Sequence, residues 1–94
     1  MLVTNDETPH FNLDEVKRGT LIWAKHSSWS DAEMGFVTSA SKDEIAVQYP
    51  PRIQNVTNHF FIPAQEAADG QWEIRYTNDM VTVLQYPEVK TNGS

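Results

Sequence analysis

Between Gln71 and Tyr76 the chain reads QWEIRY, with Trp72, Ile74 and Tyr76 alternating against Gln71, Glu73 and Arg75. A period of two sets the three large apolar side chains on one side of an extended strand and the polar ones on the other. The segment is therefore a strand with one face on a core and one toward water, and it needs partners on both edges to satisfy its backbone. The rest of the chain offers them in short pieces. GTLIWAKH (19–26) is rich in β-branched and aromatic residues, with Leu21 and Trp23 against Ile22 and Ala24; GFVTSAS (35–41) and DEIAVQYP (43–50) meet at SKD, a link of hairpin length; HFFI (59–62) and VTVLQY (81–86) complete the set.

The connections are equally legible. PPRIQNVTN begins with two prolines that lack amide donors and reads as a loop. PAQEAADG opens on Pro63, runs through alanines and stops at Gly70, predicting a helix of two turns at most. FNLDEVKRG predicts one turn capped by Asn12, and TNDM predicts a single helical turn capped by Thr77 before the last strand. Residues 1–12 read as a flexible lead-in and 87–94 as a flexible tail, leaving one domain over 13–86. Five or six short strands in 94 residues favour a small twisted barrel, because curling the sheet on itself hides the edges of short strands.

Bulk properties exclude several classes. Thirteen acidic against seven basic residues give a net charge of −6, which opposes binding to phosphate backbones through clustered Lys and Arg. Nucleic acid is not expected as a partner; a basic protein surface is. There is no cysteine, so disulfides and thiolate metal sites are absent, and no apolar run approaches the roughly 20 residues of a spanning helix. With no basic, apolar leader in MLVTNDETPH, the expectation is a cytoplasmic protein without membrane association. His10, His26 and His59 show no ligand spacing, and no metal or cofactor is expected.

The order of strand, turn and short last strand in WEIRYTNDMVTVL resembles the end of a Src-homology-3-like barrel, over residues 19–86. GTLIWAK, Gly19 to Lys25, followed by Trp29, is similar to the opening of the Tudor and PWWP branch of that architecture. There, such a run precedes a loop aromatic that helps to cage methylated lysine, and the resemblance implies Trp29 as one wall. SSWSDAE stands where that branch has a doubled Trp and prolines, and the basic DNA-binding face of those domains is missing. The acidic, β-rich character is also similar to small uncharacterised bacterial and phage domains.

The loop HSSWSDAEMG holds the strongest candidate site. Trp29 sits among Ser27, Ser28, Ser30 and Asp31 with no periodic apolar face around it, so it either lids the core or anchors a partner. Asp31 and Glu33, with Asp43 and Glu44 from the next strand connection, are expected to gather beside it as an acidic, aromatic patch suited to Lys or Arg. Trp23 and Trp72 read as core. The Src-homology-3 resemblance implies that Tyr49, Pro50 and Tyr76 line a neighbouring peptide groove. Ser27 and Ser28 adjoin His26, but neighbours on an extended chain point apart and no oxyanion motif follows, so an enzyme is not expected.

Two functions follow as expectations. One is a non-enzymatic module that engages a basic or peptide partner through Trp29 and its carboxylates. The other is an acidic inhibitor or immunity-type protein that blocks a basic nucleic-acid or substrate channel. A methyl-lysine reader and a nucleotide sponge formed between protomers are lesser alternatives, and oligomeric state is not readable from the chain.

Overall fold

The computed structural model describes residues 1–5, 7–50 and 58–87. A two-stranded hairpin, β1 (Val3–Asn5) and β2 (Pro9–Phe11), comes first. A six-stranded antiparallel sheet follows, built from β3 (Leu21–His26), β4 (Glu33–Ala40), β5 (Glu44–Gln48), β6 (His59–Pro63), β7 (Trp72–Thr77) and β8 (Leu84–Tyr86), with helix α1 (Ala64–Ala68) between β6 and β7. The strand order is β6-β5-β4-β3-β7-β8: four strands meander, then the chain returns so that β7 pairs with β3. The sheet is open, with β6 and β8 at its edges. Among the described residues no helix is long and apolar enough to cross a membrane.

The alternation in QWEIRY sets the register. Trp72, Ile74 and Tyr76 are buried, and Ile74 lies opposite Ala24 while Tyr76 lies opposite Ile22. Val37, Ile45, Val47 and Ile62 continue this inner face across β4, β5 and β6. Helix α1 covers it with Ala64 and Ala67, residues small enough for a close approach. The helix ends as the sequence predicts. Gly70, at φ 84°, takes the left-handed position, the Gln71 amide donates to the Glu66 carbonyl and the Gly70 amide to that of Ala67, which is a Schellman cap. That cap aims the chain directly into β7.

Several expectations are corrected. Residues 1–5 and 7–12 are part of the fold: Leu2, Val3 and Phe11 are buried, and the hairpin packs on α1. These strands of three residues are too short to carry an alternation, so their apolar residues read as scattered. Trp23 is not core. Ile22 and Ala24 take the inner side of β3, so parity sends Trp23 outward, where the Arg75 guanidinium lies 4.6 Å from the centre of its ring. Residues 78–81 form bends rather than a helical turn; Met80 has φ 63° and the last strand is only Leu84–Tyr86. Thr77 does cap this bend, its Oγ1 accepting from the Met80 amide at 3.0 Å. The FNLDEVKRG turn forms with Asn12 accepting from the Val16 amide through its carbonyl and from the Asp14 amide through its side chain. The loop expected at PPRIQNVTN falls largely on residues 51–57, and the tail on 88–94, both outside the described residues.

Candidate functional site

The site lies where β3 ends and β7 begins. His26, the last residue of β3, pairs with Trp72, the first of β7, and the imidazole sits edge-on to the indole at 4.9 Å. His26 then shapes the following loop. Its Nδ1 accepts from the Ser28 amide at 3.1 Å and lies 2.8 Å from Ser28 Oγ, while its Nε2 lies 3.3 Å from Gln71 Oε1. An amide donating to Nδ1 assigns the proton to Nε2, which points it at the Gln71 carbonyl. The Trp29 amide donates to the His26 carbonyl and the Ser27 amide to that of Gln71, so the loop is tied to both strands.

This turn lowers Trp29 onto the core edge. Its ring is edge-to-face with Trp72 and with Phe60, 5.2 Å from each, and Phe60 stacks on Trp72 at 5.8 Å with 11° between planes. Tyr49 extends the cluster, 6.0 Å from Phe60. Trp72 Nε1 donates to Glu66 Oε1 at 3.0 Å, which satisfies the buried indole N–H. Such edge-to-face pairs contribute about 0.5–1.5 kcal/mol each beyond area burial. Trp29 thus combines the two roles left open by the sequence: it is half-buried on the core and also lines an open groove of about 580 Å³. Asp31, Glu33, Tyr49 and Phe60 line the same groove, with Ser28, Ser30 and His59.

Gly35 makes the Tyr49 position possible. A Cβ there would stand 2.2 Å from the Gln48 carbonyl oxygen and 3.1 Å from Tyr49 Cα, so the end of β5 passes over β4 only because residue 35 has no side chain. The Tyr49 amide donates to the Asn58 carbonyl at 2.8 Å, which holds the strand end against the residue preceding β6.

Of the expected site residues, Trp29, Asp31, Glu33 and Tyr49 come together and three do not. Asp43 and Glu44 stand at the far end of β4, whose eight residues at about 3.3 Å each separate them from Glu33 by roughly 25 Å. Successive turns of an antiparallel meander lie at opposite ends of the sheet, so these carboxylates never meet Asp31. Tyr76 is buried at the other end of β7 and its hydroxyl donates to Glu15. Pro50 lines a separate depression with Phe36 and Gln48, so the peptide groove drawn through Tyr49, Pro50 and Tyr76 is not assembled. Phe60 and His59 were not expected in the site, although HFFI carries a signal for Phe60. Its alternation places Phe60 and Ile62 on one side, and Ile62 is core.

The geometry defines a class first: a small antiparallel β-domain with a shallow acidic groove backed by aromatic rings at one end of its sheet. Over residues 2–83 the chain matches the model of the domain of unknown function DUF5026, and it belongs to that family. The match takes in the N-terminal hairpin and strands β3 to β7, and ends just before β8. No curated protein and no solved structure matches the chain.

Proposed function

We propose that this domain is a non-enzymatic protein-binding module whose groove receives a cationic side chain, Arg or Lys, from a protein partner. The observation that carries the reading is Trp29: its ring is held edge-on by Trp72 and Phe60 and still lines an open groove beside Asp31. An aromatic ring next to a carboxylate attracts a guanidinium or ammonium by cation–π contact and a charge-assisted hydrogen bond together. Because the ring is already immobilised, binding costs little further side-chain entropy. The meander-and-return strand order supports reading the sheet as a Src-homology-3-like architecture, with the groove at the mouth of its first loop.

A second reading has its own support. Asp31 and Glu33 lie at one end of the sheet and Asp43 and Glu44 at the other, on a chain of net charge −6, which is the dispersed acidity an inhibitor of a basic channel would use. One experiment separates the two. Wild-type protein and Trp29→Ala, both verified as folded, are used to capture partners from source-cell lysate and are eluted with rising salt. Loss of a partner by the variant supports the anchored module. Equal capture by both forms with release at modest salt supports charge mimicry, because dispersed surface charges are screened over about 10 Å at 0.1 M salt.

A further inference from the structure

The outer face of the six-stranded sheet carries a different surface. Strand register sets Trp23 between Met34 and Arg75, Leu21 beside Phe36, and Phe61 beside Ala46, all on the side away from the core. Met34 is 53% exposed, Phe36 48% and Phe61 50%, and Val83, 61% exposed, borders a depression of about 210 Å³ together with Leu21 and Trp23. At roughly 150–250 Å² for a large side chain, these residues leave on the order of 400 Å² of apolar area on one face. That lies within the roughly 300–600 Å² of the largest patch on a typical monomer, which is often functional.

Lys25 and Glu73 also lie on this face, where they are cross-strand neighbours of opposite sign, and the remaining two charges stand on a diagonal. Arg75 on β7 marks one corner, over the Trp23 ring, and Glu44 on β5 marks the opposite corner, with β3 and β4 between them and Phe36 near the midpoint. Glu44 shares the face because it alternates with the buried Ile45. A two-fold axis lying in the contact plane across this diagonal brings Arg75 of each copy onto Glu44 of the other, twice, and packs the apolar band on itself. Two such patches supply roughly 800 Å² of apolar area, about half of a standard interface of some 1,600 Å² and close to the apolar share such interfaces show. The two ion pairs locally offset the repulsion between chains of net charge −6.

We propose that this face is the interface of a homodimer, with Phe36 at its centre and reciprocal Arg75–Glu44 pairs at its rim. The test is sedimentation equilibrium of the purified full chain over about 1–500 μM, a range that brackets weak and moderate dimers. Wild type is expected to show a monomer–dimer equilibrium. Phe36→Ser, a change at an exposed position, is expected to weaken it at least about tenfold while leaving the circular dichroism spectrum unchanged. Arg75→Glu and Glu44→Lys are each expected to weaken it about tenfold alone, and an equimolar mixture of the two is expected to recover a dimer, since the mixed dimer keeps one native Arg75–Glu44 pair and restores the other with its signs exchanged. A wild-type monomer throughout the range overturns the proposal, as does a dimer that is indifferent to Phe36→Ser or a mixture that recovers nothing. A monomer that instead buries this face on another protein is among the overturning outcomes.

Discussion

Strands β3 and β7 run side by side from one end of the molecule to the other, and the two ends are finished differently. At the Leu21–Thr77 end polar groups close on one another. The Tyr76 hydroxyl and the N-terminal ammonium both donate to the Glu15 carboxylate, Asn78 Nδ2 donates to the Glu15 carbonyl at 2.8 Å, and Thr20 Oγ1 donates to Asn78 Oδ1 while accepting from the Lys17 amide. At the His26–Trp72 end aromatic rings stack in a cluster whose outer members, Trp29 and Tyr49, line a groove. One end directs its polar groups inward at each other and secures the sheet. The other uses rings that are stable while half exposed, and so has surface to offer.

Changes at the two ends are therefore expected to differ in kind as well as size. The largest loss is expected from Trp72→Ala, which removes the ring on which Phe60, Trp29 and His26 all rest. A drop of about 3–5 kcal/mol in unfolding free energy, measured in urea, is expected together with loss of groove binding. Gly35→Ala follows, at roughly 1–3 kcal/mol, because the new methyl meets the Gln48 backbone; the displaced Tyr49 should appear in the aromatic region of a proton–carbon NMR spectrum. Tyr76→Phe, at the polar end, is expected to cost about 1–2 kcal/mol and to leave groove binding unaltered in a titration with a basic peptide. A binding defect in Tyr76→Phe would dissolve the distinction between the ends.

The polar end also carries a pH signature. The N-terminal ammonium first, and the Tyr76 hydroxyl second, hold the Glu15 carboxyl below its ordinary range. Asp79 is likewise lowered, chiefly by the amides of Thr82 and Val81. A carboxyl whose folded pKa is depressed contributes stability that is complete above its unfolded value, about 4.3 for Glu, and is lost as pH falls through the folded value. Urea midpoints taken between about pH 6 and pH 3 should therefore fall on acidification, with a shallower fall in Tyr76→Phe. The smallest expected effect on stability, within about 0.5 kcal/mol, is that of Asp31→Asn, an exposed carboxylate. It is expected to weaken binding to a basic partner and flatten its salt dependence, read by calorimetry at two ionic strengths.

Much of this fold is written in local patterns. β7 is explicit in QWEIRY, α1 in Pro63 and Gly70, and the β4–β5 hairpin in SKD. The N-terminal hairpin escapes because its strands are three residues long and its apolar residues acquire meaning only when α1 packs on them. Trp23 misleads because size argues for burial, whereas its orientation is set by parity with Ile22 and Ala24. The separation of Asp43 and Glu44 from Asp31 was in principle legible, since alternate turns of a meander fall at opposite ends whatever the side chains. Phe60 joined the site through a pairing of β5 with β6 that lies far from Trp29 in sequence, and no local signal links those two residues.

The edge-to-face pair Trp29–Trp72 also has an optical consequence. Two indoles 5.2 Å apart and 80° from coplanar share their excited states, so the far-ultraviolet dichroism of the native protein should carry a couplet of opposite-signed bands. Trp23 stands away on the outer face with its own cationic neighbour and contributes a separate emission. The domain is thus built with an internal spectroscopic ruler: any event that lifts Trp29 from its perch erases the couplet, and the state of the groove can be followed in unlabelled protein.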